Sequence, residues 1–186
     1  MVLLPRALGR IRALAPNLVI DVIAANNLRD LMRREADIAI RHVRPDQPDL
    51  VARLICEATG HFYASRAYLA TRGHPRSLKD LDQHDFISMG DTPRMVAYLR
   101  EIGIDLDERQ FRVGSENGMV GWAMAQAGLG IVPMDEAVAK HSPDMVRILP
   151  QTAISFPIWL TTHRKIHTSP KIRLVFDVLA EVLAQR

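Results

Sequence analysis

Residues 115–133 read SENGMVGWAMAQAGLGIVP. The polar cluster Ser115-Glu116-Asn117 opens an apolar run, and its short side chains suit the exposed N–H groups at the start of a helix. Gly128 and Gly130 allow the left-handed backbone that closes a helix tightly. Ile131 and Val132 then read as a short buried strand that ends at Pro133. A strand-end loop, a helix and a returning strand make one αβ unit. Free N–H groups at such a helix start form a natural anion site when they face a cleft. An ordinary well-capped αβ unit with no ligand role gives the same pattern.

Working outward, the same alternation continues. Leu3, Leu4, Leu8, Ile11 and Leu14 keep helical spacing up to Pro16-Asn17. Leu18–Ala24 is rich in β-branched residues and reads as a strand, and Asn27 reads as the cap of a helix carrying Leu28, Leu31 and Met32. Residues 37–41 form the next strand. Leu50–Ile55 and His61–Ala64 read as two extended runs broken at Thr59-Gly60. Further strands are expected at Asp85–Met89, Phe111–Gly114, Met145–Leu149 and Pro157–Thr162. Helices are expected from Ser65, Ser77, Thr92-Pro93 and about Asp135. A last helix begins at Ser169-Pro170, with Ile172, Val175, Phe176, Leu179 and Val182 as its buried stripe. Strands alternating with helices over short connections predict an α/β protein with mostly parallel sheets. Residues 57–60 and 151–155 are candidate crossings between two lobes. The expected division is 1–58 plus 152–186 for lobe one and 59–151 for lobe two.

Composition narrows the class. The 186 residues carry a net charge of +3, with 48% hydrophobic and 24% charged, ordinary values for a globular protein with a real core. No apolar run approaches the roughly 20 residues of a membrane span. The opening MVLLPRALGRIRAL lacks the uninterrupted apolar core and cleavage site of a signal peptide. The single cysteine, Cys56, excludes an internal disulfide, suits a reducing cytoplasm, and reads as a buried small hydrophobe. Basic residues are scattered and aromatics are only 5%, so no stacking platform for nucleic acid is evident. The chain has no H-E-x-x-H, C-x-x-C, G-x-S-x-G or Walker loop. His163 and His167 stand four apart, but Thr168-Ser169-Pro170 makes that stretch a loop rather than a helical metal pair. The expectation is no catalysis, no metal and no cofactor.

Five pieces in this order carry a family resemblance: LLPRALGRIRALAPNLVIDV, LRDLMRREADIAIR, FYASRAYLATRGHPRSLKDLDQHDFI, AQAGLGIVP and FPIWLTTHRKIHTSPKIRLVFDVLAEVL. The chain resembles the effector-binding domain of LysR-type transcriptional regulators over essentially its whole length. The resemblance implies a two-lobed, periplasmic-binding-protein-like (type 2) α/β domain with a small effector between the lobes. It also implies like subunits as partners, with promoter DNA contacted only through a separate winged helix-turn-helix that this sequence does not contain. The family's domain usually opens with a strand and a hydroxyl-bearing loop before the LLP helix. Lobe one is therefore expected without its first strand, in a fragment of a longer regulator or in a truncated product. The rival expectation is a free-standing solute-binding protein or small enzyme on the same fold.

In that picture several residues are candidates for the effector site. Asn26 and Asn27 stand at a strand end, where ligands of open α/β sheets approach; helix capping by Asn27 is the alternative. Arg41 ends the next strand and either clamps a carboxylate with its fork or is a solvated surface arginine. Of Phe62 and Tyr63, one is expected to face the cleft and the other the core. Ser88 and Met89 end a strand, and Gly90 lets backbone approach a ligand closely. Ser115 and Asn117 begin the helix quoted first, Glu116 there opposes an anion, and Ile131 supplies an apolar wall. The expected ligand is a small organic acid or aromatic metabolite.

Overall fold

A computed structural model describes residues 3–24 and 36–185 of the chain. The order of elements is α1 (Leu4–Leu14), β1 (Ile38–Arg41), β2 (Leu50–Ser65), α2 (Arg66–Arg72), β3 (Phe86–Met89) and α3 (Thr92–Glu101). There follow β4 (Phe111–Ser115), α4 (Gly118–Gln126), β5 (Val132–Asp135), α5 (Glu136–Ala139), β6 (Met145–Ile148), β7 (Ile154–His163) and α6 (Pro170–Ala184). Short 3-10 turns at Leu78–Gln83 and Glu108–Gln110 fill two of the connections. The described residues divide into two compact units. The first draws on Met1–Ile23, Leu28–Thr59 and Ser155–Arg186, the second on Ala24–Asn27 and Gly60–Ile154.

The first unit is built on two helices against a sheet. Ala7 and Ile11 of α1 pack with Phe176, Leu179, Val182 and Leu183 of α6 and with Leu160 of β7. These are the positions that helical spacing places on one stripe of each helix. β1 pairs antiparallel with β7, Ile38 opposite Thr162 and Arg41 opposite Trp159. Thr161 and Thr162 are fully buried, and their hydroxyls donate to the Ala39 carbonyl at 3.2 Å and the Asp37 carbonyl at 2.8 Å. Burying these hydroxyls costs little because each has its acceptor. Arg10 and Glu181 close the helix pair at the surface at 2.7 Å, and the Cys56 thiol lies 3.8 Å from the Leu183 carbonyl.

The second unit is organised around the C-terminal part of β2. Phe62 faces Pro133 in β5 and Ile148 in β6, both pairings antiparallel. β3 and β4 form a separate parallel pair, and an isolated parallel bridge links Phe86 to Ile131. Phe62, Phe86, Leu81, Leu99, Leu106 and Ile131 make the core, with the Phe62 and Phe86 rings edge-to-face at 5.7 Å. Tyr63, on the next position, is also buried and meets the Trp122 ring at 5.7 Å. Both faces of this strand are therefore covered.

Three expectations are corrected here. Leu18–Ala24 is not a strand: Val19 is 93% exposed, and no ladder partner runs beside the segment among the described residues. β-branched composition does not make a strand without a neighbour to complete its hydrogen bonds. β2 runs unbroken from Leu50 to Ser65 rather than as two runs, because Gly60 keeps its place in the ladder opposite Asp135. Finally, the ladders β1–β7, β2–β5 and β2–β6 are antiparallel while β3–β4 is parallel, so these sheets are mixed rather than mostly parallel. The helix expected after Asn27 lies outside the described residues.

One buried polar group couples this unit to pH. His84 is 5% exposed, and its Nδ1 lies 3.2 Å from the Tyr68 hydroxyl, which accepts the Asp85 N–H at 3.0 Å. The tyrosine proton is thus free to point at a neutral imidazole. Burial, and then the nearby Arg72 guanidinium, push the His84 pKa below the ordinary histidine value of 6.5. The unfolded chain takes up this proton near 6.5, while the folded chain resists it to lower pH. This contribution to stability is therefore complete above that value and is lost as pH falls through the depressed folded pKa. Thermal unfolding followed from pH 7.5 to 5, a range of roughly two units around the free histidine pKa, is expected to show the parent losing stability faster than His84→Asn. That substitution keeps an acceptor for Tyr68 without a titrating proton; parallel pH profiles would contradict the assignment.

Candidate functional site

In the second unit the C-terminal ends of the two parallel strands lie side by side. The register sets Ser88 against Gly114 and Met89 against Ser115. A Cβ at position 114 would lie 1.8 Å from Ser88 Oγ, so the serine side chain occupies the space that only glycine leaves there. Just past the strand, Gly90 has φ +99°, a left-handed conformation that favours glycine, and its N–H donates to the Ser115 carbonyl at 3.0 Å. That bond ties the two strand ends together.

Two helices start from these ends. Asp91 caps α3 by accepting the Arg94 N–H at 3.0 Å. Asn117 caps α4, its Oδ1 accepting from Met119 N–H at 2.9 Å and Val120 N–H at 3.3 Å. The Asn117 N–H donates to Ser115 Oγ at 3.1 Å, and its Nδ2 donates to the Ala24 carbonyl at 3.2 Å. Met89 lies over the first turn of α4. A Cβ at Gly118 would stand 3.5 Å from its Sδ, and one at Gly121 would stand 3.3 Å from its Cγ. Small residues on this face let the helix approach the strand end closely. Ser88 is 8% exposed, and its hydroxyl has no hydrogen-bond partner among the described residues.

The structure brings Ser88, Met89, Ser115 and Asn117 together at one end of the second unit. Glu116, exposed beside them, carries a negative charge at the same helix start. Phe62 and Ile131 are not at this surface. Both are 0% exposed in the core, Ile131 held by its N–H to the Asp85 carbonyl and by its own carbonyl to Ile87 N–H, each at 2.9 Å. Their role as a ligand wall is corrected to core packing, since a side chain with no exposed surface meets no ligand. Arg41 belongs to the first unit, half-buried at the end of β1 opposite Trp159. Asn26 and Asn27 lie outside the described residues. Asp91 and the glycines at 114 and 121 were not singled out from the sequence. The signal available for them was an Asp before Thr92-Pro93 and two glycines three apart in an apolar helix. Among the described residues no group of three His, Cys, Asp or Glu side chains is placed to hold a metal ion, and no helix is long and apolar enough to cross a membrane.

A parallel strand pair whose ends feed two capped helix starts is the ligand-facing geometry of α/β binding domains. The family model for the LysR substrate binding domain matches residues 1–184. This chain belongs to that family. An uncharacterized HTH-type transcriptional regulator of Haemophilus influenzae is 31% identical over 142 residues, 73% of this chain and 49% of that protein. The HTH-type transcriptional activator TtdR of Escherichia coli K12 is 27% identical over 165 residues, 84% of this chain and 53% of that protein. The chain thus spans about half the length of the curated relatives it matches. The regulatory domain of CrgA, a LysR-type regulator from Neisseria meningitidis, superposes with a TM-score of 0.82 at 19% identity, covering 96% of this chain and 90% of that domain. The fold is therefore that of LysR regulatory domains, the periplasmic-binding-protein-like type 2 class.

The Ser88–Gly114 contact yields a direct test of the register. Gly114→Ala is expected to cost about 1–3 kcal/mol through overpacking. Ser88→Gly, which clears the clashing hydroxyl, should recover much of that loss in the double variant. Denaturant unfolding of the four proteins measures it, and strictly additive losses would show that the two positions do not meet.

Proposed function

We propose that this domain is the ligand-sensing regulatory part of a LysR-type transcriptional regulator. In this reading the two units act as lobes of one effector-binding domain. A small effector is received at the strand ends that carry Ser88, Met89, Ser115 and Asn117, with Arg41, Asn26 and Asn27 proposed as further contacts. The observation that supports it most is the assembly of two strand ends and two helix starts at one surface of the second unit, within a chain matched by the LysR substrate binding domain over 1–184. The relatives' names carry a helix-turn-helix, and the chain covers about half of them. The regulated output is therefore assigned to a DNA-binding domain elsewhere in the longer protein. Effector binding favours one arrangement already present in the ensemble, and linked like subunits pass that preference on. The protein is cytoplasmic, works as a homo-oligomer and catalyses nothing.

The ligand is a small organic acid or aromatic metabolite. The fork of Arg41 and the start of α4 favour negative charge, and Glu116 limits how much. Ser88 and Ser115 add hydroxyls that read polar substituents.

A thermal-shift screen of small organic acids and aromatic metabolites tests the reading. A true effector at about 100 times its Kd adds roughly 2.7 kcal/mol to the folded state, a rise of several degrees. Ser115→Ala and Arg41→Ala are each expected to shrink that rise. A hit that stabilises the parent and both variants equally would remove these residues from the site. Light scattering at high micromolar concentration is expected to show a dimer or larger species, and a clean monomer would count against assembly through this domain.

A further inference from the structure

His84 stands at the foot of β3, against a hydroxyl that the strand itself uses. Both it and Tyr68 of α2 are buried, and their ring centroids are 5.7 Å apart. His84 Nδ1 lies 3.2 Å from the Tyr68 hydroxyl, and the same hydroxyl accepts the Asp85 N–H at 3.0 Å. The hydroxyl meets no third partner among the described residues. The main chain of His84 is held separately. Its N–H donates to the Leu81 carbonyl at 3.0 Å, and its carbonyl accepts from Gln110 Nε2 at 3.2 Å. The imidazole is thus kept beside the phenol by contacts that do not depend on its own charge.

Counting protons shows what this arrangement tolerates. A tyrosine hydroxyl brings one proton to donate and an oxygen that accepts, and a neutral imidazole has one nitrogen free to accept. With His84 neutral, the phenol proton goes to Nδ1 and the Asp85 N–H goes to the phenol oxygen, so every group is satisfied. An imidazolium carries a proton on both nitrogens. Its Nδ1–H and the Asp85 N–H then point at one oxygen, and the phenol proton has no acceptor. A buried donor left unpaired costs its full desolvation. One of the existing bonds therefore gives way when the ring is charged. The charged groups around the ring divide: Arg72 on α2 opposes the imidazolium, while Asp80 of the 3-10 turn and Asp85 favour it.

The consequence falls on Asp85, where several elements meet. Its carboxylate holds Arg72 of α2 at 3.2 Å and Arg112 of β4 at 3.1 Å. Its carbonyl accepts the Ile131 N–H at 2.9 Å, and the Ile131 carbonyl in turn accepts the Ile87 N–H at 2.9 Å. Gly130 lets the chain pass close by, since a Cβ there would stand 2.7 Å from the Asp85 carbonyl oxygen. Releasing the Asp85 N–H thus disturbs the residue that ties α2, β4 and the approach to β5 to the start of β3.

We propose that His84 and Tyr68 form an acid switch, in which proton uptake by the imidazole breaks the Tyr68–Asp85 hydrogen bond and loosens the start of β3 while the rest of the unit stays folded. β3 carries Ser88 and Met89 at its other end, so the switch acts on the strand that builds the candidate site. That link to ligand binding rests on the effector reading; the switch itself does not.

The test follows imidazole and backbone amide shifts of the 186-residue chain from about pH 7.5 to about 5, either side of the free histidine pKa. The His84 ring is expected to titrate below the ordinary 6.5. The amides of Asp85, Ile87 and Ile131 are expected to move with the same midpoint, while Leu160 in the first unit keeps its position. In His84→Asn the three amides should stay flat across the range. In Tyr68→Phe the Asp85 amide should no longer follow His84, because it has no hydroxyl to lose. Arg72 is exposed, so Arg72→Gln tests the idea without disturbing the core; removing its charge should raise the midpoint of the ring and the three amides together. An Asp85 amide that stays put while His84 titrates, or that moves alike in His84→Asn, would overturn the switch. So would a folded chain whose His84 is still neutral at the acid end. Loss of all amide dispersion at one pH would show a stability effect on the whole unit and no local switch. No ligand is in the sample, so failure of the effector reading leaves these outcomes untouched.

Discussion

Ser88 and Gly114 lie side by side in the parallel ladder of β3 and β4, and no side chain larger than hydrogen fits at 114 while the serine is there. That register has consequences down the chain. It brings Met89 beside Ser115, so that Gly90 can turn through its left-handed φ and bond the Ser115 carbonyl. It also sets the first turn of α4 under Met89, where Gly118 and Gly121 give the helix room. A slip of one residue would turn Ser88 away and put Ile87, which is fully buried, towards the outside. The apolar cost of exposing Ile87 and the steric cost at Gly114 thus hold one register, and the register in turn holds the candidate site.

Much of this region was readable without coordinates because its signals are local. Asn117 caps α4 as the polar cluster at 115–117 implied, and Gly128 and Gly130 both have positive φ at the helix's end. The stripe of α6 needs only a period of 3.6 to be seen, and Phe176, Leu179 and Val182 are buried as that period requires. The readings that went astray depend on what lies beside a segment rather than on the segment. Leu18–Ala24 has the composition of a strand, but composition supplies no neighbour for its hydrogen bonds. Gly60 resembles a break, yet its pairing with Asp135 is decided by a strand some seventy residues away. Alternation along β2 suggested that one of Phe62 and Tyr63 faces outward. Packing on both faces buries the two together. Ile131 was placed correctly at the end of its unit but on the wrong side of it, because the bridge to Phe86 draws it inward. Ser88, Met89, Ser115 and Asn117 lie together at the strand ends, whereas Phe62 and Ile131 are in the core.

Charge pairing is uneven in both units. In the second unit Asp85 holds Arg72 and Arg112, Glu136 holds Arg147, and Asp107 holds Arg109 by several bonds that bring the aspartate pKa down to about 2. Those arginines are committed to neighbours, mostly at exposed positions where such pairs contribute little to stability. In the first unit Arg10 holds Glu181, and both units also carry exposed arginines with no side-chain partner among the described residues, Arg12 in the first and Arg76 and Arg94 in the second. An arginine already paired offers a ligand little unless the pair is broken first, whereas an unpaired one can give its whole fork.

Commitment of donors also changes what the 115–117 motif means. The start of α4 looks like an anion site when judged by its N–H groups alone. Its cap, however, already uses Asn117 Oδ1 on two of those groups and Nδ2 on the Ala24 carbonyl, and Glu116 adds a full negative charge. What remains for a ligand at that surface is mainly the hydroxyl of Ser88, that of Ser115, and backbone at Gly90. Such a surface selects for shape and hydrogen-bonding pattern more than for charge. The start of α6 has no side-chain cap bond, but its first position is Pro170, which has no N–H, and the Arg173 N–H already donates to the Ser169 carbonyl at 2.9 Å. The helix whose sequence advertises its N-terminus most clearly therefore leaves little of it for an anion.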